Sequence, residues 1–296
     1  MALGTLYVNG SLRSQGFEMN SAGKLNYWKL DKSKTSDPRV SLKEEPSKQI
    51  PIIFFHGIGG IFSYLPFVEG LAKFGCDIVL VEMPYVSFHV APSVPSVEEH
   101  ITSVRKIMDD NGFEKAIIVG HSFGSNVMSW LVQAMPERVA GAVFLDPVVF
   151  MLHLKDISFN WLYSTVANFA NRSGSSFFET SNILGIVKTE LFSVHAVQRH
   201  LVWSRNVLWA HELQDLGVET LVIVRDKDDV VPSMEVVQHI TDHNTALNEK
   251  KIQSKVRVES LVDAGHGDLV FDEAYRAAAL EKIFDMTLLC NSRQNE

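Results

Sequence analysis

Ile117-Ile118-Val119-Gly120-His121-Ser122-Phe123-Gly124-Ser125 is the stretch on which the fold turns. The apolar run before Gly120 has the β-branched content of a buried strand. The residues after it, SNVMSWLVQAM, can form a helix. A strand that merely stopped would need one turn residue, whereas here two glycines bracket a serine. Glycines at those places remove side chains that would clash as strand turns into helix, and they leave Ser122 held clear of the backbone. Gly-x-Ser-x-Gly recurs by chance, so its weight comes from the strand before it and the helix after it.

Working outward, short apolar runs alternate with segments of helical period, the pattern of βαβ units and a mostly parallel sheet. The expected central strands are Ile50–Phe55, Ile78–Val81, Ala116–Val119, Val139–Leu145, Thr220–Val224 and Val256–Leu261. Their near-continuous Ile, Val, Leu and Phe content fits strands covered on both faces. Helices are expected at Leu65–Phe74, Val97–Asn111, Phe123–Met135, Met234–Ile240 and Glu273–Leu289. Ser96 with Glu99 reads as a capping box, and Asn111-Gly112 as a stop, for the second of these. Leu6–Val8 and Lys24–Leu30 read as weaker strands at an antiparallel edge. Asp31 to Gln49, rich in Lys, Ser, Asp, Glu and Pro, reads as an exposed loop, and Asn291 to Glu296 as a frayed end.

One connection breaks this rhythm. From Asp146 to Leu216 the chain runs far longer than an ordinary βα link and carries Phe150, Phe159, Trp161, Tyr163, Phe169, Phe177, Phe178, Phe192, Trp203 and Trp209. Such a stretch is expected to be a mainly helical lobe inserted after the sixth strand, over the ends of the strands where ligands of open α/β sheets bind. The division is then residues 1–147 and 217–296 for the sheet core and 148–216 for the lid.

The 296 residues suffice for one large domain with an inserted lobe. At 46% hydrophobic and 21% charged, the composition is that of an ordinary globular protein. A formal charge of −8 without a dense basic cluster argues against nucleic acid or an anionic membrane surface as partner. Cys76 and Cys290 flank no metal-ligand spacing, which points to a reducing compartment and no disulfide framework. The N-terminus has no apolar signal-like region, so an intracellular, cytoplasmic location is expected. Ile50 to Val68 lacks charge, but Pro51, Gly57, Gly59, Gly60 and Pro66 would break a spanning helix, so no transmembrane segment is expected. The glycines at 57, 59 and 60 do not make a dinucleotide fingerprint, and neither a cofactor nor a metal is expected.

A serine hydroxyl needs a base to take its proton, and the base needs an orienting acid. After the expected strand Leu221–Val224 come Asp226, Asp228 and Asp229, and after the last strand His266 sits in a glycine-flanked loop. The order serine, acid, histidine is the one this type of elbow requires. Asp146, at the end of an earlier strand, is a competing acid.

From Lys24 to Leu289 the chain resembles the α/β-hydrolase-fold serine hydrolases, on the elbow, on His56-Gly57-Ile58-Gly59-Gly60, and on the acid and histidine loops. The resemblance implies a catalytic set of Ser122, Asp228 and His266. Asp228 is picked because the family's acid commonly lies four residues before a proline, here Pro232. It also implies an oxyanion hole formed by the backbone N–H groups of Ile58 and Phe123. The activity implied is hydrolysis of a carboxylic ester through an acyl-enzyme, without cofactor, on a small apolar or lipid-like substrate suited to the aromatic lid. An acyltransferase or thioesterase on the same triad is the alternative, as is a small-molecule receptor of the same fold. His56 is expected to brace the oxyanion loop, and His121 to point away from the site. His195, His200 and His211 make no metal pattern, and Glu82 is assigned no role.

Overall fold

The computed structural model describes residues 2–32, 49–91, 93–162, 189–228, 230–262 and 265–294. An eight-stranded sheet forms the centre, in the order β1-β2-β4-β3-β5-β6-β7-β8. The strands are β1 (Phe17–Ala22), β2 (Leu25–Leu30), β3 (Ile52–Phe55), β4 (Ile78–Glu82), β5 (Ala116–His121), β6 (Val139–Leu145), β7 (Thr220–Arg225) and β8 (Val256–Leu261). From β4 to β8 every neighbouring pair is parallel, while β2 joins β4, and β1 joins β2, antiparallel.

Every residue of β3, β5 and β7 is buried, as their unbroken apolar sequences require. Side chains alternate between two cores. One, with Phe55, Ile118, Phe144 and Val222, lies beneath α3 (Val97–Asp110) and α4 (Gly124–Ala134). The other, with Phe54, Val119, Leu145 and Ile223, lies beneath α2 (Leu65–Leu71) and the long last helix Glu273–Gln294. The capping box of α3 forms as its sequence predicts: Glu99 N–H donates to Ser96 Oγ, and Ser96 N–H to Glu99 Oε2. Because β3, β5, β6, β7 and β8 run parallel, the loops that follow them emerge on one edge of the sheet. That edge carries the site.

Several expectations are corrected. Leu6–Val8 is not a strand but part of a helix, α1 (Ala2–Ser14). Val8 and Leu12, four apart, are its buried pair, and the neighbours Leu6 and Tyr7 are exposed, so the short apolar run has helical rather than strand partners. The edge strand β1 was not expected, because only Phe17 and Ala22 at its ends are buried and four exposed residues lie between. The helix after β7 runs Ser233–Glu249, well beyond Ile240, since its second half is polar and carries no apolar period. The chain end is no frayed tail at Asn291, whose Oδ1 accepts the Ile50 N–H while the helix continues to Gln294. Most of the Asp31–Gln49 loop lies outside the described residues, as do residues 295–296.

Between β6 and β7 the described residues form helix α5 (Lys155–Leu162), helix α6 (Leu191–His195) continued by a wider turn over Ala196–His200, and helix α7 (Ala210–Asp215). Tyr163, Phe169, Phe177 and Phe178 lie outside the described residues. Among the described residues no helix is long and apolar enough to cross a membrane.

Candidate active site

β5 delivers Ser122 to the sheet edge in a conformation most residues avoid. Its φ is +49°, while its N–H still donates to Leu145 O at 2.9 Å, so the turn begins before the ladder ends. Helix α4 must then start beneath it. A Cβ on Gly124 would fall within van der Waals overlap of the Phe55 carbonyl and 3.0 Å from His56 O, so only glycine lets helix and strand approach this closely.

Ser122 Oγ lies 2.9 Å from His266 Nε2, and His266 Nδ1 lies 2.8 Å from Asp228 Oδ2. Asp228 is held by its other oxygen, Oδ1, which accepts the Val230 and Val231 N–H groups at 2.8 Å each. Such a carboxylate has its acceptor fixed, so Nδ1–H of His266 donates to it and Nε2 turns a lone pair to the serine. Burial alone would raise the Asp228 pKa; the His266 charge and hydrogen bond, with the two N–H donors, outweigh it and hold the carboxyl below its usual range. For His266 burial pulls down, but the Asp228 charge and hydrogen bond prevail and leave the imidazole above its usual value. The other acids differ. Asp226 is exposed, Asp229 lies outside the described residues, and Asp146 faces a different partner.

Ile58 and Phe123 both line the narrow cavity that opens on Ser122. Among the described residues neither backbone N–H is taken by a protein acceptor, whereas their neighbours are engaged: Gly57 N–H donates to Tyr64 Oη and Gly59 N–H to Val86 O. The cavity holds about 30 Å³, and its wall is almost wholly apolar, with Leu152, Ile157, Trp161, Leu201 and Trp203 contributed from the segment between β6 and β7.

His56 braces the loop that follows β3. It bridges Gly57 O at Nδ1 and the Met83 N–H at Nε2, and burial depresses its pKa to about 4. His121 turns away from Ser122 toward Tyr64 and Asp146, although its ring centroid stays 5.7 Å from that of His266. Sequence reasoning missed Tyr64 and Arg225, both fully buried beneath the site. An arginine closing an otherwise apolar strand was the one available signal for the second. His195 and His200 pack against each other, and Trp209 stacks on His211; among the described residues no group of potential ligands has metal-site geometry.

A sequence profile described as alpha/beta hydrolase fold matches residues 50–200. Lipase LipV of Mycobacterium tuberculosis is 35% identical over 54 residues, 18% of this chain and 21% of that protein. The dihydrolipoyllysine-residue acetyltransferase component of the acetoin cleaving system of Cupriavidus necator is 29% identical over 101 residues, 33% of this chain and 27% of that one. The curated relatives are thus matched over less than half of their own length. Among solved structures, naproxen esterase (carboxylesterase NP) of Bacillus subtilis superposes with a TM-score of 0.59 at 15% identity, over 95% of this chain and 96% of that one. With the profile spanning half of the sequence and the sheet order and elbow in place, the chain belongs to the alpha/beta hydrolase fold family.

Proposed function

We propose that this protein is a serine hydrolase that cleaves carboxylic esters with an apolar or lipid-like group, using Ser122, His266 and Asp228. The observation that carries this is the unbroken line from Ser122 Oγ through His266 to Asp228 Oδ2, at 2.9 and 2.8 Å, beside the two unengaged N–H groups. The lipase and esterase names among its relatives agree with that reading.

In this mechanism His266 Nε2 takes the Ser122 proton as Oγ attacks the ester carbonyl. The carbonyl oxygen becomes an oxyanion, which the Ile58 and Phe123 N–H groups receive; one such donor is worth about 2.7–4 kcal/mol in the transition state. Asp228 holds the tautomer and stabilises the imidazolium. The protonated Nε2 then gives its proton to the departing alkoxide, which leaves as alcohol. Water, deprotonated by the same nitrogen, attacks the acyl-serine; collapse returns the proton to Ser122 and frees the acid. We further propose residues 148–216 as a lid, since its side chains wall the cavity and 30 Å³ holds little more than a water or two.

A fluorophosphonate probe tests this without knowledge of the substrate. Wild type should be labelled, Ser122→Ala should not, and Asp228→Asn should label slower by about 10⁴-fold because the imidazole loses its tautomer. A folded wild type that takes no label, or a Ser122→Ala variant that still does, would sink the reading.

A further inference from the structure

Beneath the proposed triad runs a second polar chain that reaches the loops carrying Ile58, Ser122 and His266. It begins at the oxyanion loop, where Gly57 N–H donates to Tyr64 Oη at 2.9 Å. His121 Nε2 faces Asp146 Oδ2, an acceptor, so its Nδ1 is left to accept, and the Tyr64 O–H, 2.6 Å away, donates to it. His121 therefore carries its own proton on Nε2 and donates to Asp146 Oδ2 at 3.1 Å. The same Asp146 oxygen pairs with Arg225 Nη2, and Arg225 Nη1 donates to the carbonyl of Gly265. The guanidinium is backed by the Tyr275 ring, 3.9 Å from its centroid.

Each end and the middle of this chain is one residue from a working atom. Gly57 precedes Ile58, His121 precedes Ser122, and Gly265 precedes His266. We propose that Tyr64, His121, Asp146 and Arg225 are positioning residues that lock the oxyanion loop, the nucleophile elbow and the histidine loop into one register. This rests on the hydrolase reading given above.

Stability alone does not account for the arrangement. Asp146 and Arg225 are both fully buried, and a buried ion pair is often replaceable by apolar packing without loss. Asp146 Oδ1 and Arg225 Nε have no hydrogen-bond partner among the described residues, so the pair is not even fully satisfied. Asp146 also holds φ at +44°, a strained conformation for a residue other than glycine. A left-handed backbone and a buried ion pair kept at one spot under three loops of the site fit a device that holds geometry.

The device also has an electrostatic signature that packing would lack. The groups facing His266 are Asp228 after β7, Asp146 after β6, Arg225 at the end of β7, and His121 at the end of β5, with Tyr275 of the last helix behind Arg225. Burial holds His121 neutral, at about 4, and pushes the Tyr275 hydroxyl far up, so neither titrates in the working range. Asp146 supports the charged form of His266 and Arg225 opposes it. Removing one charge must therefore move the His266 titration one way, and removing the other must move it the opposite way.

The experiment is the rate of fluorophosphonate labelling of the full chain across a pH series, with Ser122→Ala as control and melting temperature followed for each variant. Asp146→Asn should carry the acid limb to lower pH and Arg225→Met to higher pH. The double variant, with neither charge, should return the limb to its wild-type place yet label more slowly. Tyr64→Phe keeps the ring and all charges; it should slow labelling by at least about tenfold without moving the limb. If either single-charge variant fails to fold, the double variant and Tyr64→Phe decide. Wild-type rates and limbs in the folded variants would overturn the proposal while leaving the hydrolase reading intact. A wild type that is not labelled, or labelling that survives Ser122→Ala, would remove both.

Discussion

At Ser122 and Gly124 the backbone does what the side chains need. A serine at φ +49° is costly, roughly 1–3 kcal/mol, and it persists because the residues around it leave no alternative. Gly124 is the part of that enclosure most open to test. Gly124→Ala would drive a methyl group into the carbonyls of Phe55 and His56, which are backbone and cannot rotate away. The end of β3 would have to shift, and with it the loop that carries Ile58. We expect a loss of more than about 3 kcal/mol in urea unfolding, together with lost labelling of Ser122. A variant that unfolds at the wild-type midpoint and labels normally would mean that the elbow does not depend on this contact.

The same scale shows what could be read from sequence. Ser122 and His266 stand out because glycines on both sides mark turns at strand ends, whereas Asp228 was picked among four acids only by what the family resemblance implies about its distance from Pro232. The chain through Tyr64, His121, Asp146 and Arg225 could not be read in that way. Its partners are 57, 25 and 79 positions apart, and no local rule pairs a tyrosine at the start of a helix with a histidine at the end of a strand. Only the parallel sheet, by aligning strand ends on one edge, makes them neighbours.

At the scale of elements, β3 to β7 came out as expected and are buried at nearly every residue, where an unbroken apolar run leaves little choice; the partly exposed β2 and β8 were read as well. The misread elements are half exposed. In α1 and β1 only two side chains each are buried among the described ones, too few to announce a period of either kind. In the segment between β6 and β7, two neighbouring polar contacts with the rest of the protein differ sharply in exposure. Trp130 Nε1–H, from the buried helix α4, donates to Asn206 Oδ1, and Asn206 is 1% exposed. Next to it, Arg205 pairs with Glu98 where both side chains are more than half in water, at 53% and 65%. These neighbours should behave differently. Asn206→Ala leaves a buried indole N–H without an acceptor and should cost about 1–3 kcal/mol. Arg205→Ala breaks a solvated pair and should leave the unfolding midpoint where it is. Parallel urea melts of the two variants check this, and a larger loss for Arg205→Ala would show that the segment is anchored through its charged rim instead.

For the molecule as a whole, the buried histidines set how it meets acid. His56, His100 and His121 each have both ring nitrogens engaged in the folded state, with one nitrogen accepting a hydrogen bond. Protonating that nitrogen breaks the bond and buries a charge, so burial lowers all three pKa values, to about 4 for His56 and His121. The unfolded chain takes up those protons near the ordinary 6.5. Between about 6.5 and 4 the unfolded state therefore binds more protons than the folded one, and stability must fall as the pH is lowered through that window. For His56 and His121 the loss is roughly 3 kcal/mol each. His266 runs the other way: its raised pKa contributes stability that is complete below 6.5 and lost as the pH rises through its folded value. One such group cannot offset three. Asp228, with its carboxyl held low, loses its contribution only at pH values below this window. Urea midpoints measured from neutral pH down to about 4.5 should thus decline, with Glu82, whose carboxyl burial raises, relieving part of the loss as it takes up its proton. A midpoint that stayed level or rose on acidification would mean that these histidines are already charged in the folded protein, with His121 Nδ1–H donating to Tyr64 Oη instead of accepting from it.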